Sequence, residues 1–307
     1  LIVLSAMGDT TDKLVTLSNK VSKQPNPRDY DMLLSTGEQV SVAVLSMILN
    51  NINVNSISFT GWQAGIRTDS TSMMARIEAI NVKKIKSEFM KKNIVVVAGF
   101  QGVDDKDNIT TLGRGGSDTT AVALAAALKA DECQIYTDVD GVYTTDPRLC
   151  IKARKLNKLT YEEMLEMAGL GSKVLQLRSV EFASKHKVPI RVLNAHNIGS
   201  GTLITKEEKK MEGALISGIA FTKDEAEVMI KGVKDQPGVA AKILGPIGDA
   251  KIEVDMIVQN VGSNGLADFT FTVSRNTLKK ALQVIEKNKK IMMYESVISK
   301  RNIVKVS

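Results

Sequence analysis

The sequence Thr111-Leu-Gly-Arg-Gly-Gly-Ser-Asp-Thr-Thr120 follows a predicted buried strand, Ile94–Ala98, and directly precedes a predicted helix, Thr120–Leu128. Glycines allow a backbone to approach a ligand closely, and the free N–H groups at a helix start favour an anion such as phosphate. Arg114 adds a planar fork that suits a carboxylate or a phosphate, and Asp118 is placed to orient a nucleophile or a lysine. The segment therefore predicts an anion-binding loop.

A simpler interpretation of the same segment is a tight turn with Ser117 as the helix N-cap. An arginine among three glycines favours the anion site, because a turn has no need of that fork. The segment is not a Walker A loop, since no lysine followed by serine or threonine comes after the glycines. Gly169-Leu-Gly171 is too short for a dinucleotide fingerprint, which leaves a dehydrogenase as a weak alternative.

Short apolar runs alternate with helical patterns through the first two hundred residues. This alternation is typical of a mostly parallel sheet with helices on both faces, an α/β fold, and it predicts ligand sites at the carboxyl ends of the strands. The predicted strands are Leu1–Leu4, Ser56–Phe59, Ile94–Ala98, Gln134–Tyr136, Pro189–Leu193 and Leu203–Thr205.

A helix is predicted over Glu38–Asn50, because apolar residues recur on one of its faces at helical spacing. We interpret this apolar stripe as facing the core. Ser35 and Glu38 have the Ser-x-x-Glu spacing of a capping box, and Thr160 and Glu163 have the matching threonine version. Glu38 has a second interpretation, since its carboxylate is placed to accept a substrate ammonium. The stripe consists of Val40, Ala43, Val44, Met47 and Ile48.

Two domains are predicted, 1–206 and 207–307, because the charged stretch Lys206–Glu212 ends the first pattern. Beyond it, the order strand, helix, strand, strand, helix is that of ferredoxin-like α+β ligand-binding modules. A last apolar run, Ile303–Val306, closes the sequence. The predicted elements of this part are Val228–Lys231, Val239–Gly248, Glu253–Gln259, Asp268–Val273 and Leu278–Lys287.

A second polar constellation, Tyr136-Thr-Asp-Val-Asp-Gly-Val-Tyr-Thr-Thr-Asp-Pro-Arg148, follows a predicted buried strand. Its hydroxyls and carboxylates suit a ribose, an adenine edge or hydrated magnesium, and Arg148 is placed to meet a phosphate. The spacing is wrong for a calcium loop. A polar turn rich in aspartate and glycine remains an equal alternative on spacing alone.

The composition, 43% hydrophobic and 24% charged, is that of a globular protein, and no apolar run reaches the roughly 20 residues of a membrane helix. A formal charge of +7 spread along the chain disfavours nucleic-acid binding and indicates a mild preference for anionic ligands. With only Cys133 and Cys150 and no charged-then-apolar leader, a cytoplasmic location is favoured. With only His186 and His196, neither a zinc site built from three histidines nor a repeated histidine base is expected, and no protein metal ligands are predicted.

Five motifs resemble those of bacterial aspartate kinases in order and spacing over nearly the whole chain. The motifs are Ser5-Ala-Met-Gly8, Leu33-Leu-Ser-Thr-Gly-Glu38, Phe59-Thr-Gly-Trp-Gln-Ala-Gly65, Gly113-Arg-Gly-Gly-Ser-Asp118 and the segment from Thr137 to Arg148. The resemblance implies the amino-acid kinase fold, a three-layer αβα sandwich with a mostly parallel sheet, followed by an ACT regulatory region.

The same resemblance implies ATP-dependent phosphorylation of the β-carboxylate of L-aspartate to 4-phospho-L-aspartate with Mg²⁺, the entry to lysine, threonine and methionine biosynthesis. The implied catalytic residues are Asp118 and Arg114. The implied aspartate-binding residues are Ser5, Thr11, Glu38, Arg114 and Ser117. The implied nucleotide-binding residues are Thr137, Asp138, Tyr143, Arg148, Lys173 and Val174.

In the second domain, Val233–Ala240 and Ile252–Asn260 resemble an ACT module. This implies an effector amino acid, lysine or threonine or both, bound at the helix start after the Asp-x-Pro-Gly turn, and a homo-oligomer formed through ACT modules. A second ACT unit is expected to start near Ile303. The implied effector-binding residues are Asp235, Gly238, Ala240, Gln259 and Asn260.

The chain departs from the family pattern in two places. The family's opening Lys-Phe/Tyr-Gly-Gly segment does not precede Leu1, so we expect the sequence to begin inside a domain, and Leu175-Gln-Leu177 stands where the family usually has Leu-His-Pro. Two alternatives follow, a kinase for a different amino acid and a non-catalytic amino-acid-binding regulator. The Thr-Gly-Glu motif and the ACT features favour aspartate.

Overall fold

Strands and helices alternate in the first of two units, Leu1–Gly218. The computed structural model describes residues 1–172, 174–207, 218–262 and 265–306. In this unit the strands are β1 (Ile2–Leu4), β2 (Ser56–Phe59), β3 (Ile66–Thr68), β4 (Ile77–Ile80), β5 (Ile94–Ala98), β6 (Gln101–Val103), β7 (Ile109–Thr111), β8 (Cys133–Thr137), β9 (Lys158–Thr160), β10 (Ile190–Asn194) and β11 (Thr202–Thr205). The helices are α1 (Thr10–Val21), α2 (Pro27–Asn51), α3 (Lys83–Met90), α4 (Gly116–Leu128), α5 (Tyr161–Gly169) and α6 (Leu177–His186).

The strands of this unit pair in the orders β1-β5-β2, β4-β3-β6-β7 and β8-β10-β11-β9. Among the described residues, β5 pairs in parallel with both β1 and β2, and β8 pairs in parallel with β10. The hairpins β3–β4 and β6–β7 are antiparallel. The mostly parallel α/β fold is thereby confirmed, with two antiparallel hairpins that the sequence patterns do not predict.

Strand β5 is buried on both of its faces, as a central parallel strand should be. Val95 and Val97 pack in a core with Ile85 of α3 and Leu124 of α4. Val96, on the opposite face, packs with Val42 of α2. Helices therefore cover both sides of the sheet, which is the predicted three-layer arrangement.

Helix α2 starts eleven residues before the predicted helix, at Pro27, with the Asn26 side chain accepting a hydrogen bond from the Arg28 N–H (3.0 Å). Proline at the first helical position and asparagine at the N-cap both favour that start. Ser35 lies inside the helix, where its hydroxyl donates to the Met32 carbonyl (2.8 Å). The capping box predicted for Ser35 and Glu38 is therefore wrong, whereas the one predicted at Thr160 is formed.

The apolar stripe of α2 faces outward, so its prediction as core is wrong. Val40, Met47 and Ile48 are 50%, 71% and 53% exposed, and Ala43 and Val44 are exposed as well. The inward face carries small and polar residues because the helix approaches its neighbours closely. A Cβ on Gly37 would lie only 2.9 Å from the Ala6 Cβ.

By length and composition alone, the 25-residue α2 would also satisfy the criteria for a membrane span. In this unit it contacts β2, β5 and β7. These contacts are those of a core helix in a globular domain.

The second unit, Ile219–Ser307, has the ferredoxin-like arrangement. Its antiparallel sheet has the order β13-β14-β12-β15, and residues of the two longer helices pack with one sheet face to form the core. Its elements are β12 (Phe221–Lys234), α7 (Val239–Asp249), β13 (Ile257–Val261), β14 (Leu266–Ser274), α8 (Leu278–Lys287), α9 (Lys289–Met292) and β15 (Ser296–Val306).

Two details of this unit differ from expectation. The predicted strand Glu253–Gln259 begins only at Ile257. Ile303 lies in β15, where it pairs with Glu225 of β12, so that it belongs to the fourth strand of this sheet. A further unit beyond it stays a prediction. The domain boundary at 206/207 also stays a prediction, since residues 208–217 lie outside the described residues.

A fully buried carboxylate, Asp31, ties α2 to the rest of the first unit. Its two oxygens accept hydrogen bonds from the Met73 N–H (2.9 and 3.0 Å), and Oδ1 also accepts one from the Thr111 hydroxyl (2.6 Å). Thr111 ends β7, directly before the predicted anion loop. The carboxylate therefore links the helix, the turn around Met73 and the base of that loop.

We predict that Asp31→Ala lowers the free energy of unfolding by about 2–4 kcal/mol, because it leaves the Met73 N–H and the buried Thr111 hydroxyl without the acceptor that they share. Asp29→Ala is the matched control, since Asp29 pairs with Arg28 on an exposed surface, and it is expected to cost less than about 1 kcal/mol. Urea unfolding of both variants measures the difference. Equal effects would show that the buried hydrogen bonds of Asp31 contribute nothing specific.

Candidate active site

The predicted anion loop lies at the start of α4. The helix begins at Gly116, earlier than predicted, with Gly115 as its N-cap in a left-handed conformation (φ 70°). A Cβ on Gly115 would lie 2.1 Å from the Gln176 side chain, so only glycine fits there. The loop thus places its backbone N–H groups at a helix N-terminus, the geometry that binds anions. Arg114 is exposed at this loop.

Ser117 lies in the first turn of α4 rather than at its N-cap. A Cβ on Gly99 would lie 2.8 Å from the Ser117 hydroxyl oxygen, so the end of β5 lies against the helix start. The Gly99 N–H in turn donates to the Leu4 carbonyl at the end of β1 (3.0 Å). The carboxyl ends of β1 and β5 therefore meet at the anion loop, as the parallel sheet predicts.

Asp118 follows Ser117 in the first turn of α4 and is half-buried. Burial raises the pKa of Asp118 to about 6. Among the described residues it forms no ion pair. Its carboxylate is thus available to a ligand or to a cation. The predicted nucleotide-binding residue Lys173 lies outside the described residues.

Glu38 projects from the middle of α2 and is 3% exposed. Its Oε1 accepts a hydrogen bond from the Ala6 N–H (3.1 Å). Its Oε2 is buried and has no hydrogen-bond partner among the described residues. Burial is the main cause that raises the pKa of Glu38 to about 7. A buried carboxylate with a free oxygen is a site that a ligand ammonium would satisfy.

The structure brings some of the predicted aspartate-binding residues together. Ser5 is exposed directly after β1, beside the Ala6 N–H that contacts Glu38. Thr11 is half-buried in the first turn of α1. Its neighbour Thr10 lies close to Gly37 of α2, since a Cβ on Gly37 would be 3.5 Å from the Thr10 methyl carbon. These residues and Glu38 therefore gather where β1 ends.

Two of the predicted nucleotide-binding residues lie together, since Thr137 ends β8 and Asp138 follows it, next to the end of β10. The Thr137 hydroxyl donates to the Asp138 carboxylate (3.1 Å), and the Asn194 side-chain amide donates to the Asp138 carbonyl (3.2 Å). The Ala195 N–H donates to the Thr137 carbonyl (2.8 Å). The sequence interpretation missed Asn194. Asn194 could have been recognised as a polar residue at the carboxyl end of a predicted strand, here β10, which pairs in parallel with β8.

Acidic partners hold two other predicted nucleotide residues. The Tyr143 hydroxyl donates to Asp140 (2.9 Å), and this hydrogen bond is the main cause that raises the pKa of Tyr143. Arg148 is exposed and donates two side-chain hydrogen bonds to Asp146 (3.1 and 3.0 Å). These bonds use two of the five N–H donors of the guanidinium, so donors remain for a phosphate. Val174 is half-buried against the core of the first unit.

Two of the predicted effector-binding residues, Asp235 and Gln259, contact each other in the second unit. The Gln259 side-chain amide of β13 donates to the Asp235 carboxylate (3.1 Å), and Gly238 is the N-cap of α7. Ala240 lies in the first turn of that helix, and Asn260 follows Gln259 on the exposed β13. A carboxylate thus stands beside a helix N-terminus, an arrangement that suits both charged groups of an amino acid.

The comparisons with known proteins agree with this geometry. The family model of the amino acid kinase family matches residues 1–194, and that of the ACT domain matches residues 227–289. The class is therefore an amino acid kinase domain followed by an ACT domain.

An aspartate kinase of Stutzerimonas stutzeri is 59% identical over 307 residues, which is 100% of this chain and 74% of the relative. The structure of E. coli aspartokinase III in complex with aspartate and ADP has a TM-score of 0.74 and 25% identity, over 96% of this chain and 66% of that one. The same enzyme in complex with lysine and aspartate has a TM-score of 0.75 and 25% identity over the same shares. The chain belongs to the aspartate kinase family.

We predict that Glu38 makes the chain less stable as pH rises from about 5 to 8. The folded-state pKa of Glu38 is raised to about 7 from 4.5, so the folded state holds a proton that the unfolded state loses first, and this contribution disappears through that window. The difference in the free energy of unfolding between the wild type and Glu38→Gln should change by about 1–3 kcal/mol. Urea unfolding at four pH values measures it.

The matched control for this experiment is Glu78→Gln, which removes an exposed carboxylate from β4. A pH trend that is the same in the wild type, Glu38→Gln and Glu78→Gln would contradict the assignment to Glu38.

Proposed function

We propose that this aspartate kinase transfers the γ-phosphoryl group of ATP to the β-carboxylate of L-aspartate, forming 4-phospho-L-aspartate and ADP. The observation that carries the proposal is the buried Glu38 carboxylate with an unpartnered oxygen, placed where β1 ends. A carboxylate there recognises an ammonium, and the anion loop recognises negative groups. An amino acid with an additional carboxylate satisfies both.

In the proposed mechanism a β-carboxylate oxygen attacks the γ-phosphorus in line, and the bond from that phosphorus to the β–γ bridging oxygen breaks as ADP leaves. Glu38 holds the ammonium and Arg114 a carboxylate, while Ser5, Thr11 and Ser117 complete the amino-acid site. Backbone N–H groups at the start of α4 bind the moving phosphoryl group. The chain contributes mainly positioning and charge stabilisation.

The nucleotide is assigned to the cluster at the ends of β8 and β10. Thr137 and Asp138 present a hydroxyl and a carboxylate there, Tyr143 and Arg148 lie on the following loop, and Lys173 and Val174 come from the segment before α6. The Asp138–Asn194 hydrogen bond supports this assignment, because it joins two parallel strands at their carboxyl ends. We therefore propose that ATP lies near α4, the helix that starts at the anion loop and that contacts β8.

Mg²⁺ fits this site as an ion carried by the nucleotide. Within the described residues, no group of three or more His, Cys, Asp or Glu side chains is arranged to hold a metal. Mg²⁺ prefers phosphates, water and one or two carboxylates over an all-protein cage. Asp118, the carboxylate that the anion loop carries, is our candidate for contact with its water shell. When bound, the ion neutralises phosphate charge.

The test is an ATP-dependent assay in which hydroxylamine traps the acyl phosphate. Aspartyl hydroxamate is expected from L-aspartate, and none from L-glutamate. Arg114→Ala should lower kcat/KM for aspartate by about 10–100-fold, through loss of a charge-assisted bond. Arg28→Ala, an exposed arginine on α2, is the control and should change it less than about 2-fold.

Two outcomes would redirect the proposal. A product with glutamate instead of aspartate would identify a kinase for a different amino acid. Amino-acid binding without any ATP turnover would identify a non-catalytic regulator.

We further propose that the second unit binds an effector amino acid, lysine or threonine or both, at Asp235, Gly238, Ala240, Gln259 and Asn260. Asp235 takes the ammonium, and the N–H groups at the start of α7 take the carboxylate. The hydrogen bond between Gln259 and Asp235 supports a preformed site (3.1 Å). Feedback regulation of the kinase follows from such a site.

A homo-oligomer through ACT units is proposed on the exposure of edge strand β13. Ile257, Val258 and Val261 are all exposed on it, and an uncovered apolar edge strand favours pairing with another chain. A cytoplasmic location is proposed because Cys133 and Cys150 are both free thiols.

For the effector site we predict that Asp235→Ala weakens lysine or threonine binding by about 10–100-fold, because a charge-assisted hydrogen bond is lost. Asp249→Ala, an exposed aspartate at the end of α7, is the control and should bind as the wild type does. Isothermal titration calorimetry measures both. Unchanged affinity in Asp235→Ala would place the effector elsewhere.

A further inference from the structure

Arg178 lies at the second position of α6 and reaches across to two other segments of the first unit. Its Nη1 donates to the Leu112 carbonyl (2.7 Å), and its Nη2 donates to the Ala75 carbonyl (2.5 Å). Among the described residues it forms no ion pair. Its guanidinium therefore donates hydrogen bonds from two nitrogens to two backbone oxygens. A lysine ammonium has a single nitrogen and cannot reproduce this arrangement.

The two acceptors of Arg178 mark the base of the anion loop. Leu112 directly precedes Gly113, the first residue of Gly113–Gly116. The Ala75 N–H donates to the Thr111 carbonyl (2.9 Å), so the second acceptor belongs to a segment that is itself hydrogen-bonded to the end of β7. Arg178 thus binds two neighbouring backbone segments, one at Ala75 and one at Leu112. The second segment leads directly into the loop that carries Arg114.

The same helix start also contacts the tip of the loop. A Cβ on Gly115 would lie 2.1 Å from the Gln176 Cγ, so the Gln176 side chain packs directly on the loop backbone. Gln176 is the N-cap of α6 and ends the segment that contains Lys173 and Val174. One short stretch of chain therefore holds two proposed nucleotide residues and also contacts the anion loop at its base and at its tip.

We propose that Arg178 is a positioning residue that keeps the anion loop in register with the segment before α6. Because Arg114 and the N–H groups of α4 are proposed to bind the amino acid and the phosphoryl group, and Val174 is proposed to bind the nucleotide, Arg178 aligns the two reacting substrates. The inference rests on the proposed function for those residues. It adds Arg178 to the residues proposed to act in the reaction, although Arg178 itself is not proposed to contact a substrate.

A purely structural role for Arg178 would give a different result. Loss of stability alone lowers the fraction of active enzyme and hence the apparent kcat, but it leaves KM unchanged. Loss of loop position changes the geometry of the amino-acid site, and a misplacement of about 1 Å can cost roughly 100-fold in rate. KM for aspartate should therefore rise while kcat falls.

The experiment compares Arg178→Ala and Arg178→Lys with Arg191→Ala. Arg191 is a suitable control because it is also a partly buried, forked arginine of the same unit, paired with Glu132 just before β8, away from that strand's carboxyl end. We expect Arg178→Ala to lower kcat/KM for aspartate by about 100-fold with a several-fold rise in KM. Arg178→Lys should have a kcat/KM for aspartate between those of Arg178→Ala and the wild type. Arg191→Ala should keep the wild-type KM for aspartate.

Two further measurements make the test specific. Millimolar guanidinium should partly restore the activity of Arg178→Ala, since it can occupy the vacated site, and should not raise that of Arg191→Ala. Hydrogen exchange of the peptide covering 110–118 should be faster in Arg178→Ala than in the wild type and unchanged in Arg191→Ala. This second measurement needs no catalytic activity.

The inference is overturned if Arg178→Ala has the wild-type KM for aspartate and unchanged exchange at 110–118. If the wild-type chain forms no aspartyl hydroxamate, the proposed function fails, and the exchange result alone decides whether Arg178 holds the loop.

Discussion

The site depends on one constraint, the burial of strand β5 between two layers of helices. Val95 and Val97 require a helix layer on one side, and Val96 requires α2 on the other. With both faces covered, the free polar groups of the parallel strands lie at their ends. The Leu4 carbonyl at the end of β1 accepts the Gly99 N–H just after β5, and Ser117 of α4 lies against Gly99. The proposed sites for the amino acid and the phosphoryl group are therefore consequences of how this strand is packed.

Two buried carboxylates on α2 show how the same residue type serves structure and function. Asp31 accepts hydrogen bonds at both of its oxygens and fixes the backbone at the base of the anion loop. Glu38, two turns later, accepts one hydrogen bond and leaves an oxygen unpartnered. A buried polar atom without a partner costs about 1–3 kcal/mol. The protein carries that cost at the position where a substrate ammonium is proposed to remove it.

The sequence patterns predict some regular elements with their observed bounds, because burial and propensity agree there. Ile94–Ala98 and Leu278–Lys287 form with the predicted bounds. The strands β3, β4, β6 and β7 have three or four residues each and are set by tertiary pairing, so no local pattern marks them. For α2, the sequence shows helical periodicity, but it does not show which side of the helix faces the core. The deciding factor is the close approach at Gly37, a contact between segments distant in sequence.

The predicted site residues were recognisable as motifs, whereas their partners were not. The contact of Asn194 with Asp138 appears only when β8 and β10 pair. Asp140 and Asp146 contact Tyr143 and Arg148 within the same loop, through side-chain geometry that spacing alone does not give. The two predicted capping boxes also show that spacing alone does not give the contacts, since Ser35 and Glu38 have the same spacing as Thr160 and Glu163. Only the second is a cap, because only there does an extended residue precede the helix.

The outward apolar stripe of α2 has a consequence for the thermodynamics of folding. Val40, Met47 and Ile48 are at least half hydrated already in the folded chain. Side chains that gain little additional hydration on unfolding contribute little to its heat-capacity change. Residue for residue, the stripe of α2 should therefore add less to the curvature of the stability–temperature profile than Val95, Val96 and Val97 of β5, which are fully buried in the folded chain.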